Sequence, residues 1–270
     1  MPLKLTLRAP SPIPIEVAGI VPDVVRDVTL AQIERLSVLH GNEQLPLAEL
    51  FNVRGDASDE QIEFVGDMAG VHHVGARMQS GAIHVTGNTG RHLGSRMTGG
   101  EITVDGDADD WAGAEMHDGL IRIRGNAGHH AGAAYPGSEA GMTGGILLIH
   151  RSAGDQTAHT MRRGLIAVGG NVGDFAGINM IAGSLFVSGT CGLRPAAGMR
   201  RGTLVIFNDR PALLPTFRSG GRCQPLFLSI YLGKLAALDF PAPDEWRRAS
   251  YEIFHGDMLT GGRGEILVRF

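Results

Sequence analysis

The sequence predicts an all-β solenoid: a right-handed parallel β-helix of about seven 19-residue coils, with short α/β caps at its two ends. Three observations predict it. Glycine fills 40 of 270 positions, about twice ordinary usage, and 30 of the 40 lie between Gly66 and Gly202, while 11 of the 13 prolines lie outside that stretch. Seven of the ten methionines (Met78, Met97, Met116, Met142, Met161, Met180 and Met199) recur at intervals of 19, 19, 26, 19, 19 and 19, each followed three residues later by glycine. Two aliphatic columns recur with the same stride.

Residues 1–63 do not repeat. They read as an N-terminal cap with an edge strand over Leu3–Arg8 and a short helix opened by a Thr29–Gln32 capping box. Residues 64–207 read as the coil stack. Its first copy, around Phe64–Gly75, is out of register by one or two residues, as terminal repeats are. Ile83, Ile102, Ile121, Leu147, Ile166, Leu185 and Leu204 form one column; two residues on, Val85, Val104, Ile123, Ile149, Val168, Val187 and Ile206 form another, wholly β-branched. Period-two spacing of such residues marks a strand with one buried face. The residue between them (His84, Thr103, Arg122, Leu148, Ala167, Phe186, Val205) is unrestricted, which predicts an outward position.

Each strand ends in a turn such as Gly87-Asn88, Gly106-Asp107, Gly125-Asn126 or Gly170-Asn171. Nineteen residues carry only ~63 Å of extended chain, enough for a small flattened loop and too little for a propeller blade. Burying the same face in every copy then requires stacking at ~4.8 Å. The single interval of 26 places a seven-residue insertion near Ala133–Glu139, expected as an exposed loop carrying Tyr135 and Pro136. Residues 208–270 read as a C-terminal extension. Its apolar stretch Pro225–Leu238 is compatible with strand or helix, and two strands are expected at Tyr251–His255 and Glu265–Phe270.

Composition limits function. A net charge of −4 and a pI near 6.2 argue against a nucleic-acid partner. No apolar run reaches 18 residues, and the N-terminus has no signal-peptide pattern. Cys191 and Cys223 lie far apart, outside any CxxC, so no disulfide framework or cysteine-based metal site is expected and a cytoplasmic setting fits.

No catalytic, cofactor-binding or metal-binding residue is assigned. The Gly87-Asn-Thr-Gly90, Gly125-Asn-Ala-Gly128 and Gly170-Asn-Val-Gly173 turns follow strands, as a phosphate loop does. Their spacing is not GxGxxG, no long helix follows, and a motif present once per coil is accounted for by the coil. His73, His92, Trp111, His130, Gln156, Phe175 and Arg194 align on one edge, with His72 and His129 beside them. His73 and His92 come within metal-ligand reach there. However, the column continues with Trp, Phe and Arg, and no carboxylate recurs to complete a ligand set. Asp109-Asp110 sits at a coil corner, and no nucleophile elbow is present. A solenoid of this kind is expected to be a docking surface.

The repeated G-N-x-G-x-x-x-G-x-x-M-x-x-G coils resemble the GXGXG β-helix superfamily. The flanks, Ile20-Val-Pro-Asp-Val24, His40-Gly-Asn-Glu43, Pro46–Val53, His255-Gly-Asp-Met258 and Gly262-Arg-Gly-Glu-Ile266, resemble the C subunit of formylmethanofuran dehydrogenase. Arg151, Ala158 and Ala196 depart from it where other coils have glycine.

The resemblance implies a non-catalytic C subunit in one of two settings. One is a bacterial formyltransferase/hydrolase complex that takes formyl-tetrahydromethanopterin through formyl-methanofuran (methylofuran) to formate. The other is an archaeal molybdenum or tungsten dehydrogenase. It implies amidohydrolase-like, dehydrogenase-B-like and formyltransferase subunits as partners in a hetero-oligomer, and no cofactor on this chain. Lysine occurs only at Lys4 and Lys234 against 22 arginines, which lacks the Lys/Glu hyperthermophile signal and favours the bacterial complex. The rival reading is a free-standing β-helix protein binding a metal or carbohydrate at its His-Trp edge.

Overall fold

The inner columns lie in register across one continuous sheet of the computed structural model, which describes residues 2–270. The N-terminal elements are β1 (Leu3–Leu7), β2 (Ile15–Glu16), α1 (Pro22–Val25), α2 (Leu30–Ile33), β3 (Ser37–His40), β4 (Glu43–Pro46), α3 (Leu47–Leu50) and β5 (Phe51–Arg54). The central strands are β6 (Gln61–Val65), β7 (Val71–His72), β8 (Ala82–Val85), β9 (Glu101–Val104), β10 (Leu120–Ile123), β11 (Ile146–Ile149), β12 (Leu165–Val168), β13 (Ser184–Val187) and β14 (Arg201–Ile206). Then come β15 (Arg218–Cys223), α4 (Leu226–Ala237), α5 (Asp244–Arg248), β16 (Tyr251–Gly256) and β17 (Arg263–Arg269). The fold is mostly β, with 12% helix and, among the described residues, no closed barrel. No helix among them is long and apolar enough to cross a membrane.

From β6 through β14 every neighbour in the large sheet is parallel, and Ile62, Ile83 and Ile102 face one another across it, as do Phe64, Val85 and Val104. Between the strands, Met68, Thr89, Ala108, Ala127, Ala153, Val172 and Cys191 form a second ladder of single parallel bridges. All seven column methionines are fully buried. The Met-x-x-Gly spacing has a direct packing cause: a Cβ on Gly119 would stand 2.8 Å from Met97 Cε, and one on Gly145 would stand 2.6 Å from Met116 Cε. Each methionine fills the space left above the glycine of the next repeat, and those glycines also hold positive φ, which costs them little.

The flanks continue the same columns with unrelated sequence. Leu3 and Leu5 pair beside Ile62 and Phe64, and Ile266 and Val268 pair beside Leu204 and Ile206. The expected edge strand at Leu3–Arg8 is therefore corrected: β1 is interior, parallel to β6 on one side and antiparallel to β5 on the other. Its alternating Leu3 and Leu5 are both fully buried, which an edge strand does not require. The capping box at α2 forms in part, with Gln32 Oε1 accepting from Thr29 N at 3.1 Å and from Thr29 Oγ1 at 2.7 Å. Pro225–Leu238 resolves as the helix α4.

The insertion is only half a loop. Pro136–Glu139 is exposed, but Ala133 and Ala134 are buried and Tyr135 is half-buried, so the expectation of an exposed 133–139 loop is corrected. Tyr135 turns back because its ring has an aromatic face to cover, described below.

A second apolar cluster lies outside the sheet. Leu228, Leu232 and Leu235 of α4, with Phe240 and Trp246, pack on Leu148, Ala167, Phe186 and Val205. Those four occupy the column expected to face outward. They do face outward, and the C-terminal helices then bury them. Leu226 and Ile230, on the other side of α4, remain 87% and 76% exposed.

Candidate functional site

The glycine turns are occupied by the protein itself. Asn88 Oδ1 accepts from Asp107 N at 2.9 Å, Asp107 Oδ1 from Asn126 N at 2.6 Å, and Asn126 Oδ1 from Ser152 N at 3.1 Å. The ladder continues as Ser152 Oγ accepts from Asn171 N at 3.1 Å and Asn171 Oδ1 from Thr190 N at 2.9 Å. A parallel ladder runs through Asp110, His129, Asp155 and Asp174, each side chain accepting from the backbone N–H one repeat on. A Cβ at Gly106 or Gly128 would collide with Asn88 or Asp110. Each repeat's polar side chain thus satisfies the next repeat's backbone donor, and glycine leaves it room. At the Gly125–Gly128 and Gly170–Gly173 turns the protein's own acceptors take every backbone N–H that a phosphate would need.

The histidine edge is where the structure concentrates polar and aromatic side chains around a cleft. His73, His92, Trp111, His130, Gln156, Phe175 and Arg194 do form one column, and every member has φ between 54° and 67°. This shared left-handed corner aims successive rings the same way. His73 stacks on His92 at 4.5 Å and Trp111 on His130 at 4.2 Å between centroids. Tyr135, expected in an exposed loop, closes over the ladder. It stacks on Trp111 at 5.0 Å, and its Oη lies 2.8 Å from His92 Nδ1. Glu115 holds it from below, accepting from Tyr135 N at 3.1 Å and from Arg96 Nε at 2.7 Å, while the Arg96 guanidinium lies 5.3 Å over the Tyr135 ring. No periodic signal marks Tyr135, because it stands inside the one interruption of the period.

A cleft of about 690 Å³ separates this edge from the segment around α1, with Glu16, Gly19 and Asp23 on one wall and His73, His92, Arg96 and Tyr135 on the other. Burial pushes His73, His130 and His92 down, His92 to about 4, so these rings are neutral near pH 7. Burial raises Glu115, but hydrogen bonds from Ser138, Arg96 and the Tyr135 N–H outweigh it and hold the carboxyl below its usual range. Burial pushes Cys191 up to about 12, which keeps it a thiol and a poor nucleophile. Among the described residues no group of three or more His, Cys, Asp or Glu side chains could hold a metal ion. Chemically, the edge offers stacked neutral rings and hydrogen bonding.

Comparison with known proteins adds three findings. The GXGXG motif family matches residues 56–216. Among curated proteins, the chain is 34% identical over 88 residues to the C subunit of tungsten-containing formylmethanofuran dehydrogenase 2 of Methanothermobacter wolfeii, covering 31% of this chain and 33% of that protein. It is 39% identical over 79 residues to the C subunit of molybdenum-containing formylmethanofuran dehydrogenase 1 of Methanothermobacter marburgensis, covering 29% of this chain and 20% of that one. The matched segment thus spans a third or less of these curated relatives. Among solved structures, a chain of the formyltransferase/hydrolase complex (FhcABCD) from Methylorubrum extorquens, determined with methylofuran, superposes with a TM-score of 0.92 at 35% identity, covering 98% of both chains.

Proposed function

The chain belongs to the GXGXG motif family, within which its relatives are formylmethanofuran dehydrogenase C subunits, and from that premise we propose that it is the structural C subunit of a formyltransferase/hydrolase complex. In this reading the assembly moves a formyl group from tetrahydromethanopterin to a methanofuran-type carrier, methylofuran in the solved relative, and hydrolyses it to formate. Catalysis resides in amidohydrolase-like and formyltransferase subunits, which together with a dehydrogenase-B-like subunit are this chain's partners, in the cytoplasm. One observation carries the reading: the end-to-end likeness, 98% of both chains at 35% identity, to a chain of such a complex. The dehydrogenase subunits match over less than a third of this chain.

The same reading includes the finer architecture. The 19-residue stride, the parallel registers and the second bridge ladder support a right-handed parallel β-helix of about seven coils over residues 64–207, with 1–63 and 208–270 as caps.

Co-expression of this chain with its three partner subunits tests the proposal. A single hetero-oligomer that forms formate from formyl-tetrahydromethanopterin is expected, and omitting this chain should leave the others dissociated. An active assembly lacking this chain, or formyl transfer by this chain alone, overturns it.

A further inference from the structure

One corner of the stack changes electrostatic character along its length. The two positions after each column methionine are neutral or acidic early in the stack, as in Gln79-Ser80 and His117-Asp118, but later they read Arg162-Arg163 and, past the apolar Ile181-Ala182, Arg200-Arg201. The C-terminal strand β17 then lies parallel to β14 with Arg263 beside Arg201. All five arginines are exposed and, among the described residues, unpaired, whereas Arg91, Arg96, Arg122 and Arg124 higher in the stack each meet a carboxylate.

The missing counter-charge is not for want of carboxylates in a chain of net charge −4. Glu265, two residues from Arg263, is bound instead by the Thr203 hydroxyl at 2.6 Å. Asp257 turns inward to accept from Gly198 N and Leu259 N. Rungs ~4.8 Å apart put Arg201 and Arg263 side by side and Arg162 about 10 Å from Arg200. These separations are comparable to the ~8 Å screening length at physiological salt, so the charges act together. Like charges directly opposite on neighbouring strands destabilise a sheet. The corner therefore stays mutually repulsive until an anion arrives. Ile181, Thr260 and Gly261 complete a shallow groove of about 450 Å³ with Arg200, Arg201 and Arg263.

We propose that this corner docks an extended acidic segment of a partner polypeptide. Alternate side chains of an extended segment lie ~7 Å apart, so an acidic segment laid along the corner offers carboxylates to Arg200, Arg201 and Arg263 and, beyond the Ile181-Ala182 rung, to Arg162 and Arg163. Guanidinium forks match carboxylates in bidentate geometry. A lone phosphate engages two arginines and leaves the rest unpaired, so five arginines spread over this corner favour a multivalent ligand. Placing that segment on a subunit of the same assembly rests on the reading above, whereas the binding chemistry stands without it.

Fluorescence anisotropy of a labelled hexa-aspartate peptide against the full chain tests the site. Binding is expected, weakening at least ~10-fold between about 50 and about 300 mM salt. The R200E/R201E/R263E variant should lose at least ~10-fold in affinity with an unchanged melting temperature, while R218E/R222E, on the exposed strand β15, should stay within ~2-fold. No binding by the wild-type chain, equal binding by the two variants, or complete displacement by about 1 mM inorganic phosphate overturns the proposal. Co-purification with the partner subunits is a separate readout. A wild-type chain that binds the peptide yet joins no assembly sinks the assembly reading and leaves the site standing.

Discussion

The outward face of the large sheet differs between its two halves. On β8, β9 and β10 the central outward residues are His84, Thr103 and Arg122, partly or fully open to water. On β11 to β14 they are Leu148, Ala167, Phe186 and Val205, all buried under α4 and α5. Arg122 marks the boundary: its Nη1 donates to Glu101 at 2.8 Å and its Nη2 reaches the Leu238 carbonyl at the end of α4 at 3.4 Å. The inward columns are the same in both halves, because closing the stack buries them whatever lies outside. The outward column is free to follow its local cover. A two-layer region is thus built onto a one-layer repeat by changing outward positions only, the Leu148–Val205 column above all, with Leu165 and Phe207 beside it.

The largest expected effect breaks this contrast at a single column. Phe186→Asp places an unpaired carboxylate among Phe207, Tyr231 and α4, and should cost more than about 4 kcal/mol or detach the helix. Thr103→Asp, in the same column of the open half, should stay within about 0.5 kcal/mol. Equal losses in chemical denaturation would show that the outer face of both halves is covered alike.

The next effect sharpens the comparison from inside. Met97→Ala and Met180→Ala, one in each half, should each cost about 2–5 kcal/mol, since both side chains are fully buried and leave similar cavities. A loss confined to one half would mean that the helices, and not the stack, hold that column.

The smallest is a pH effect on the open half. His92 titrates near 4 in the folded chain against about 6.5 unfolded, mainly through burial, with His73, His72 and Arg91 adding to the shift and Asp110 opposing it. Its contribution is therefore complete above about pH 6.5 and is lost as pH falls toward 4, since the unfolded state takes up the proton first. After allowance for the ring's contact with water, the loss should be on the order of 1 kcal/mol. Melting temperatures from pH 7 to 4 should show it, and His92→Phe, which keeps the stack, should flatten that part of the curve. An unchanged slope in His92→Phe would assign the acid sensitivity to other groups.

The sequence by itself determined the repeat: the methionine column, the two inward aliphatic columns and the glycine turns. In a parallel stack each residue's neighbour in space lies one period away in the chain, so packing writes itself as periodicity. Even the change from Thr103 to Phe186 was legible as residues, though not as a covered face. The tertiary structure alone decided what breaks the period. It placed Leu3–Leu7 between two strands, made Pro225–Leu238 a helix over the sheet, folded Tyr135 onto Trp111, and brought Arg263 beside Arg201. Each of these contacts joins residues with no common spacing, through a flanking strand added to the sheet, a crossing helix or a single insertion. Such contacts occur once, and a pattern that occurs once leaves no mark in a one-dimensional sequence.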